Sequence, residues 1–472
     1  MVSGNHVSRF RLIILIVSIS FFTACTCPST PPQEPDVTQK CPTSTGTPCP
    51  LLTATPQPSP TPPSATEMAA PVDPIHVIRL GTGLTGTDLF PYHQIIDEYE
   101  KEHRETLVQV EPMAGTDYYS RLTRLHMAGS APDIIYLSDD KLRYFVQEEI
   151  LAPFTDAIDP ADFDPSLYYP GLLEPGQAGG IQYLLPEDFS TLVLFYNKKL
   201  FQNAGVGFPM DNWTWDDLLS AARRLTKDRN KDGIPEQWGI QMNAAWEKGF
   251  EYWVLSAGGS LISEDGRQFI GYMDAPEAIR AAEFYAGLYT IEKVAPPPVD
   301  LYAWTGGNTE FLDGKAAMVI GGYWSEAEYR INPNIDLGVA APPHDALRVN
   351  ILFWSGSGIT TNSRYPLDAG RFLLYENGPA SASIWKEWHL PVLASVVNDE
   401  SYSKDPLYKI FYQELNFIKP RGYSRTPYWD QTAHPVLVEA LETLVTNPSA
   451  DPARVMHAAA EKAQTLLNEI LR

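Results

Sequence analysis

Aromatic rings and carboxylates recur where the sequence predicts that strands end or that glycines bend the chain. Asp139 follows a predicted strand, Trp324 follows a pair of glycines, and Trp354 begins a Ser-Gly bend. A flat ring can cover the apolar face of a sugar, and a carboxylate can accept hydrogen bonds from its hydroxyl groups. The same residue types also fill protein cores, and for Trp246 and Trp429 that alternative stays open. The residues that we expect to bind a ligand are Tyr136, Asp139, Asp188, Ser190, Trp246, Tyr323, Trp324, Trp354 and Trp429.

One polar loop carries oxygen ligands at a calcium-type spacing. Positions 1, 3, 5 and 9 of this loop are Asp228, Asn230, Asp232 and Glu236. Position 6 is Gly233, which suits the sharp turn, but position 12 is Gly239 where a glutamate normally binds the ion. A turn closed by Asx side chains explains the same residues. The sequence therefore favours a structural turn, and a weak calcium site is the alternative.

Motifs of common catalytic sites are missing from the sequence. It contains no H-E-x-x-H and no G-x-S-x-G, and Gly314-Lys315 does not belong to a P-loop. Acidic pairs such as Glu187 with Asp188 could serve a glycosidase, although a solvated turn explains the pair as well. We therefore expect a binding protein rather than an enzyme, with an exported glycan-active hydrolase as the alternative.

A glycine-rich segment raises the question of a nucleotide cofactor. Residues 81–86 read G-x-G-x-x-G after a predicted strand, as in dinucleotide-binding folds. Asp88 and Pro91 place the helix start beyond the third glycine, whereas the dinucleotide motif needs the helix to begin at the glycines. The segment is better explained as a loop that faces a ligand cleft, and we expect no cofactor.

Charge and composition narrow the kinds of partner. The chain has 472 residues, enough for two domains, and 58 acidic against 35 basic residues give a formal net charge of -23. Such a charge repels nucleic acids and anionic membrane surfaces. We expect a small-molecule ligand, no nucleic-acid partner and a monomeric protein.

The N-terminus has the organisation of an export signal. Arg9 and Arg11 precede an apolar run at 12–22, and Thr23-Ala24 precede Cys25. The run is too short to span a bilayer as a helix. We expect a signal peptide over 1–24 and lipidation of Cys25, which would anchor the exported chain to the outer face of the cytoplasmic membrane; a cleaved signal without lipid is the alternative.

Residues 26–74 are dominated by Pro, Thr and Ser. This composition cannot bury a core, so we expect an extended, semi-rigid tether. All four cysteines precede residue 50, so no disulfide framework is expected in the folded body.

The segment 182–200 is the predicted connection between two lobes. A Pro-Glu-Asp turn leads into an apolar run rich in β-formers, which indicates a buried strand entered through exposed acids. We interpret it as the first crossing between two bodies that enclose a cleft. An ordinary core strand behind a surface turn is the alternative.

Several motifs together resemble the family 1 extracellular solute-binding proteins. They are Pro132-Asp133-Ile134-Ile135, Ile150-Leu151-Ala152-Pro153-Phe154, Tyr196-Asn197-Lys198, the Trp213 to Leu218 segment, the Phe311 to Met318 segment and Gly322-Tyr323-Trp324. The resemblance implies an α/β, two-lobed, periplasmic-binding-protein-like (type II) fold with a ligand cleft between the lobes. It also implies capture of a sugar or oligosaccharide for the membrane subunits of an ABC importer.

The predicted domain organisation follows from this resemblance and from the composition. After the signal peptide at 1–24 and the lipidated tether at 25–74, we expect first-lobe segments at 75–187 and 342–385. The second lobe is expected to comprise 188–341 and C-terminal helices at 386–472.

Overall fold

The structure is a computed structural model that describes residues 75–115, 117–298, 309–399 and 404–472. These residues belong to one compact unit, Pro71–Arg472. The predicted signal peptide, Cys25 and the tether lie outside the described residues.

Two main sheets organise the described residues. The strands are β1 His76–Thr82, β2 Thr106–Pro112, β3 Ile134–Ser138, β4 Gln177–Ala178, β5 Ile181–Gln182, β6 Leu184–Thr191, β7 Val193–Asn197, β8 Met318–Gly321, β9 Leu337–Ala340 and β10 Leu352–Ile359. The first sheet has the order β2-β1-β3-β10-β6, with β1 parallel to β2 and β3, and with β10 antiparallel to β3 and β6. The second sheet has the antiparallel order β8-β7-β9, and β4 pairs with β5 in a short ribbon.

Helices cover the two sheets. They are α1 Phe90–Glu102, α2 Tyr118–Met127, α3 Asp139–Gln147, α4 Lys198–Ala204, α5 Trp215–Leu225, α6 Glu247–Ser256, α7 Pro276–Thr290, α8 Glu326–Ile331, α9 Pro366–Glu376, α10 Ala382–Trp385, α11 Ala394–Val397, α12 Pro406–Glu414, α13 Ala433–Thr446 and α14 Pro452–Ile470. A capping box begins α5, where Thr214 and Asp217 satisfy each other's backbone N–H groups. No helix in the described part of the chain is long and apolar enough to cross a membrane.

Two hydrophobic cores pack on the sheets, and the second sheet contributes side chains to both of them. The first core surrounds β1, β3 and α1 and includes Tyr92, Tyr99 and Phe372, which are almost completely buried. The second core is formed largely by α5 to α7, α13 and α14. The molecule is therefore the two-lobed α/β fold that the sequence predicts.

The chain crosses between the lobes at three points that meet around the buried side chain of Asn350. β6 belongs to the first sheet and β7 to the second, so the first crossing is Leu192. Asn350 Nδ2 donates to Leu192 O at 2.9 Å, and Leu192 N–H donates to Asn350 Oδ1 at 3.0 Å. Asn350 N–H donates to Phe417 O at 2.8 Å, and Lys419 N–H donates to Asn350 O at 3.1 Å.

The lobe segments differ from the predicted boundaries. Asp188 lies within β6 of the first lobe, because the crossing comes four residues later. His344 still pairs with the backbone of Trp213 and Trp215 in the second lobe, so the chain returns to the first lobe at Asn350 rather than at 342. Residues such as Leu390 pack in the first core. Helical patterns reveal apolar faces, but they do not reveal which of two cores those faces cover.

Candidate functional site

A set of charged side chains joins the two lobes. Asp139, Asp140 and Lys141 begin α3 directly after β3, which places them at the edge of the first sheet. Lys248 Nζ, from α6 of the second lobe, lies 2.7 Å from Asp140 Oδ2, and Lys141 Nζ lies 2.8 Å from the same oxygen. Tyr423 of the second lobe donates its hydroxyl hydrogen bond to Asp139 Oδ2. Negative side chains at a helix N-terminus are favoured by the helix dipole, which explains the local sequence.

The second lobe holds a further buried ion pair beside these residues. Arg421, only 4% exposed, donates from Nε to Glu251 Oε2 at 3.1 Å and from Nη2 to the carbonyl of Lys248 at 3.2 Å. The Gly422 N–H donates to the other oxygen of Glu251 at 2.5 Å. We call Asp139, Asp140, Lys141, Lys248, Arg421 and Tyr423 the charged wall.

The two neighbouring aspartates of the charged wall have opposite pKa shifts. Burial, and then the charge of Asp140, raise the pKa of Asp139 to about 7. Burial also acts to raise the pKa of Asp140, but Lys248 and Lys141 hold that pKa well below its ordinary value. Asp140 is therefore the fixed anion of the pair, and Asp139 can exchange a proton near neutral pH.

Three aromatic side chains form a second surface, which we call the aromatic wall. Trp246 stacks on Phe353 with ring centroids 5.4 Å apart and an interplanar angle of 19°. Trp324, which is 41% exposed, meets Phe353 edge-on at 5.0 Å and Trp246 edge-on at 6.1 Å. The guanidinium carbon of Arg421 lies 4.8 Å from the centre of the Phe353 ring, so the aromatic wall adjoins the charged wall.

Glycine makes room for the ring of Trp324. A Cβ atom on Gly322 would lie 2.1 Å from that ring, far inside contact distance. The backbone at Gly322 is extended, with φ of -111°. The glycine is therefore required for space rather than for a special turn, which differs from the usual explanation of a glycine after a strand.

A polar strip on β6 and β10 continues from the aromatic wall into the first lobe. Ser190 pairs with Phe353, and Asp188 pairs with Ser355, so all four side chains share one face. Ser355 donates its hydroxyl hydrogen bond to Asp188 Oδ1. Burial, and then the charge of Asp188, raise the pKa of Tyr136 well above its ordinary value, so this phenol stays protonated.

The rings of three of the nine predicted ligand residues pack elsewhere. Trp354 is 2% exposed and donates from Nε1 to the Leu172 carbonyl at 2.7 Å, inside the first core. Trp429 is 3% exposed in the second core. The ring of Tyr323 packs edge-on against Phe411 at 5.5 Å, while its N–H donates to Ser190 Oγ at 2.8 Å. The structure brings the other six together around the two walls and the polar strip.

The carboxylates of the candidate calcium loop accept hydrogen bonds from backbone N–H groups of the same loop. Asp228 accepts hydrogen bonds from the N–H groups of Lys231 and Gly233, and Asp232 accepts one from Ile234. Glu236 accepts from Arg229 and Asn230. Among the described residues, no three His, Cys, Asp or Glu side chains are placed to hold a metal ion. This geometry matches the Asx-type turn.

Several residues of the site were not predicted from the sequence. Lys248, Arg421 and Tyr423 belong to no motif, and only the folded chain brings them to Asp139. Asp140 and Lys141 could have been found, because they directly follow Asp139 at the predicted helix start. Phe353 could have been found because it directly precedes Trp354, and neighbouring residues of a strand point to opposite faces of the sheet.

Comparisons with known proteins bear on this arrangement. The family described as "Bacterial extracellular solute-binding protein" matches residues 87–366. A binding protein of Brucella abortus is 26% identical over 54% of this chain and 60% of its own length, so the chain spans less than two thirds of that relative. The galactooligosaccharide-binding protein of Bacillus subtilis is 23% identical over 78% of this chain and 84% of its own length.

A solved structure gives the same architecture. An ABC substrate-binding protein from Listeria monocytogenes, in complex with cycloalternan, matches with a TM-score of 0.72 and 24% identity, covering 84% of this chain and 99% of that one. At this identity the likeness establishes the fold alone. The family and these matches comprise binding proteins, and none of them supports the hydrolase alternative.

Proposed function

Because the chain belongs to the bacterial extracellular solute-binding proteins, we propose that it captures an uncharged sugar or oligosaccharide between its lobes and delivers it to an ABC importer. The sugar class is supported by the names of two matched proteins, one for galactooligosaccharides and one solved with cycloalternan. The aromatic wall and the carboxylates beside it supply the two kinds of contact that a sugar needs.

We infer an uncharged ligand from the fact that the charged side chains of the charged wall are already paired. Lys141 and Lys248 share Asp140, Lys141 also contacts Asp430, and Arg421 pairs with Glu251. A phosphate ester would place its negative charge beside these carboxylates, and like charges at close range cost several kcal/mol. A neutral polyol can instead exchange hydrogen bonds with the paired groups and leave the ion pairs intact.

Calorimetric titration tests this proposal. Linear malto-oligosaccharides and β-galacto-oligosaccharides of one to six rings are compared with sn-glycerol 3-phosphate at equal concentration. We expect at least one neutral series to bind without being cleaved, and the phosphate ester to bind far more weakly or not at all. Preferred binding of glycerol 3-phosphate, or release of shorter sugars during the titration, would overturn the proposal.

We also propose that the protein is anchored to the outer face of the cytoplasmic membrane by lipid on Cys25. Each buried methylene of an acyl chain contributes roughly 0.8 kcal/mol to membrane binding. The Cys25→Ala variant should therefore leave the membrane fraction, whereas Cys27→Ala, as the matched control, should remain there. A Cys25→Ala protein that stays membrane-bound would contradict the anchor.

A further inference from the structure

An exposed aromatic pair lies on the first lobe, outside the two walls. Phe90, at the start of α1, is 56% exposed, and Trp388, just after α10, is 37% exposed. Their rings meet edge to face, with centroids 6.1 Å apart and planes at 78°. Large aromatic side chains are usually buried, so two that cover each other only partly leave apolar ring surface available to a ligand.

His389 connects this pair to the polar strip. Its Nδ1 lies 3.6 Å from Asp188 Oδ2, and the two side chains are 27% and 30% exposed. The other oxygen of Asp188 accepts the hydroxyl hydrogen bond of Ser355. Trp385, one turn before His389, packs against its imidazole ring with centroids 5.3 Å apart and holds it in place.

The polar strip runs from the aromatic wall to Asp188, which His389 contacts. Phe353 and Ser355 lie on one face of β10, and two residues of a strand span about 7 Å. Ser190 and Asp188 lie beside them on β6. A chain of sugar rings that begins beside the aromatic wall would therefore pass Asp188 and His389 before it meets the ring of Trp388, the residue directly before His389.

We propose that Asp188, His389, Phe90 and Trp388 form an outer subsite on the first lobe that binds one further sugar ring. The subsite rests on the function proposed above, and it specifies that the ligand is an oligosaccharide rather than a single sugar. Asp188 and His389 hold the ring's hydroxyl groups, and the aromatic pair covers its apolar face. A neutral ring is favoured because the carboxylate and the imidazole already face each other.

The test measures how affinity depends on ligand length. The full chain and its Phe90→Ala and Trp388→Ala variants are titrated with the malto- and β-galacto-oligosaccharides of one to six rings. Phe208→Ala is the matched control, because Phe208 is 40% exposed and packs on Tyr196 in the second lobe. We expect the wild-type affinity to rise with length, and Phe90→Ala and Trp388→Ala to weaken the longest ligands about fivefold to tenfold.

The shortest ligand that binds should be unaffected by these variants, and their ligand-free melting temperatures should match the wild type. An equal loss at every length, or no loss at any length, would overturn the subsite while the proposed function stands. A wild-type affinity that does not increase with length would do the same. If no sugar of either series binds the wild type, the proposed function and the subsite both fail.

Discussion

The aromatic wall and the charged wall adjoin each other but are built on opposite principles. In the aromatic wall, Trp246, Trp324 and Phe353 meet through ring contacts at 5.0 to 6.1 Å. In the charged wall, Asp140 meets two lysines from opposite lobes at 2.7 and 2.8 Å. Ring contacts change little when surfaces shift slightly, whereas a buried ion pair loses its compensation as soon as its partners separate.

This difference assigns separate roles to the two walls. An aromatic surface contributes to binding affinity in proportion to the apolar area that the ligand covers. This contribution changes little when the ligand shifts slightly on the ring. The ion pairs that cross between the lobes, Lys248–Asp140 and Lys141–Asp430, form only when the lobes are at one fixed distance. We therefore expect the aromatic wall to determine how tightly a ligand binds, and the charged wall to determine how the lobes close around it.

The largest expected effect is the loss of Asp140. Its side chain is 1% exposed, and Asp140→Ala removes the anion that the partly buried Lys141 and Lys248 share. Breaking one side of a buried ion pair costs about 3 to 5 kcal/mol of unfolding free energy. Denaturant unfolding of the ligand-free protein measures it. The control is Asp117→Ala, since the Asp117–Arg124 pair is exposed and should contribute under about 1 kcal/mol. An equal loss of unfolding free energy in both variants would mean that Lys248 and Asp140 are not in contact in the ligand-free protein in solution.

The next effect concerns the aromatic wall. Trp324→Ala removes a ring that is already 41% exposed, so it should barely change the ligand-free unfolding free energy. It should weaken sugar binding by about 2 kcal/mol, or roughly 25-fold. Trp354→Ala is the contrasting variant, because that buried indole should lose folding stability instead. Strong destabilisation by Trp324→Ala with normal affinity would place Trp324 in the core.

A further difference between the two walls is that Asp139, in the charged wall, should make the unfolding free energy depend on pH. A carboxyl whose pKa is raised to about 7 contributes stability that is complete below its unfolded pKa and is lost as the pH rises through 7. Asp139→Asn should therefore gain stability over the wild type between pH 5 and pH 8.5. The gain should be about 3 kcal/mol, because the raised pKa lies about two units above pH 5 and each unit corresponds to about 1.4 kcal/mol. Chemical unfolding at both pH values, with the exposed Asp97→Asn as control, measures this difference. A gain that is constant with pH would contradict it.

The smallest effect is expected at the rim of the charged wall. Asp430 contacts Lys141, but its side chain is 42% exposed. Asp430→Asn should cost under about 1 kcal/mol of unfolding free energy at low salt and almost nothing at 1 M salt. A large loss that persists in high salt would show that the buried part of the charged wall extends to Asp430.

The sequence predicted the parts of this molecule that depend on local patterns. The strand before Asp139 and the two-lobed class both follow from short motifs. The sequence does not show to which face of β10 the side chain of Trp354 points. Both faces of that strand are largely covered, so no alternation of polar and apolar residues distinguishes them. Lys248 and Arg421 were not readable either, because a buried cation is recognised only by partners that the fold brings from distant segments.

Asn350 has a mechanical consequence for the cleft. Its side chain and backbone hold the crossings at Leu192 and at 417–419 within hydrogen-bond distance, so the lobes can rotate about this point but cannot slide apart there. In a rotation, displacement grows with distance from the pivot. Phe353 is three residues from Asn350, whereas Ser355, beside the end of β3 that leads to Asp139, is five residues away. We therefore expect opening to separate the charged wall by the larger distance. A sugar would then contact the aromatic wall first, and the ion pairs between the lobes would form afterwards, as the lobes close.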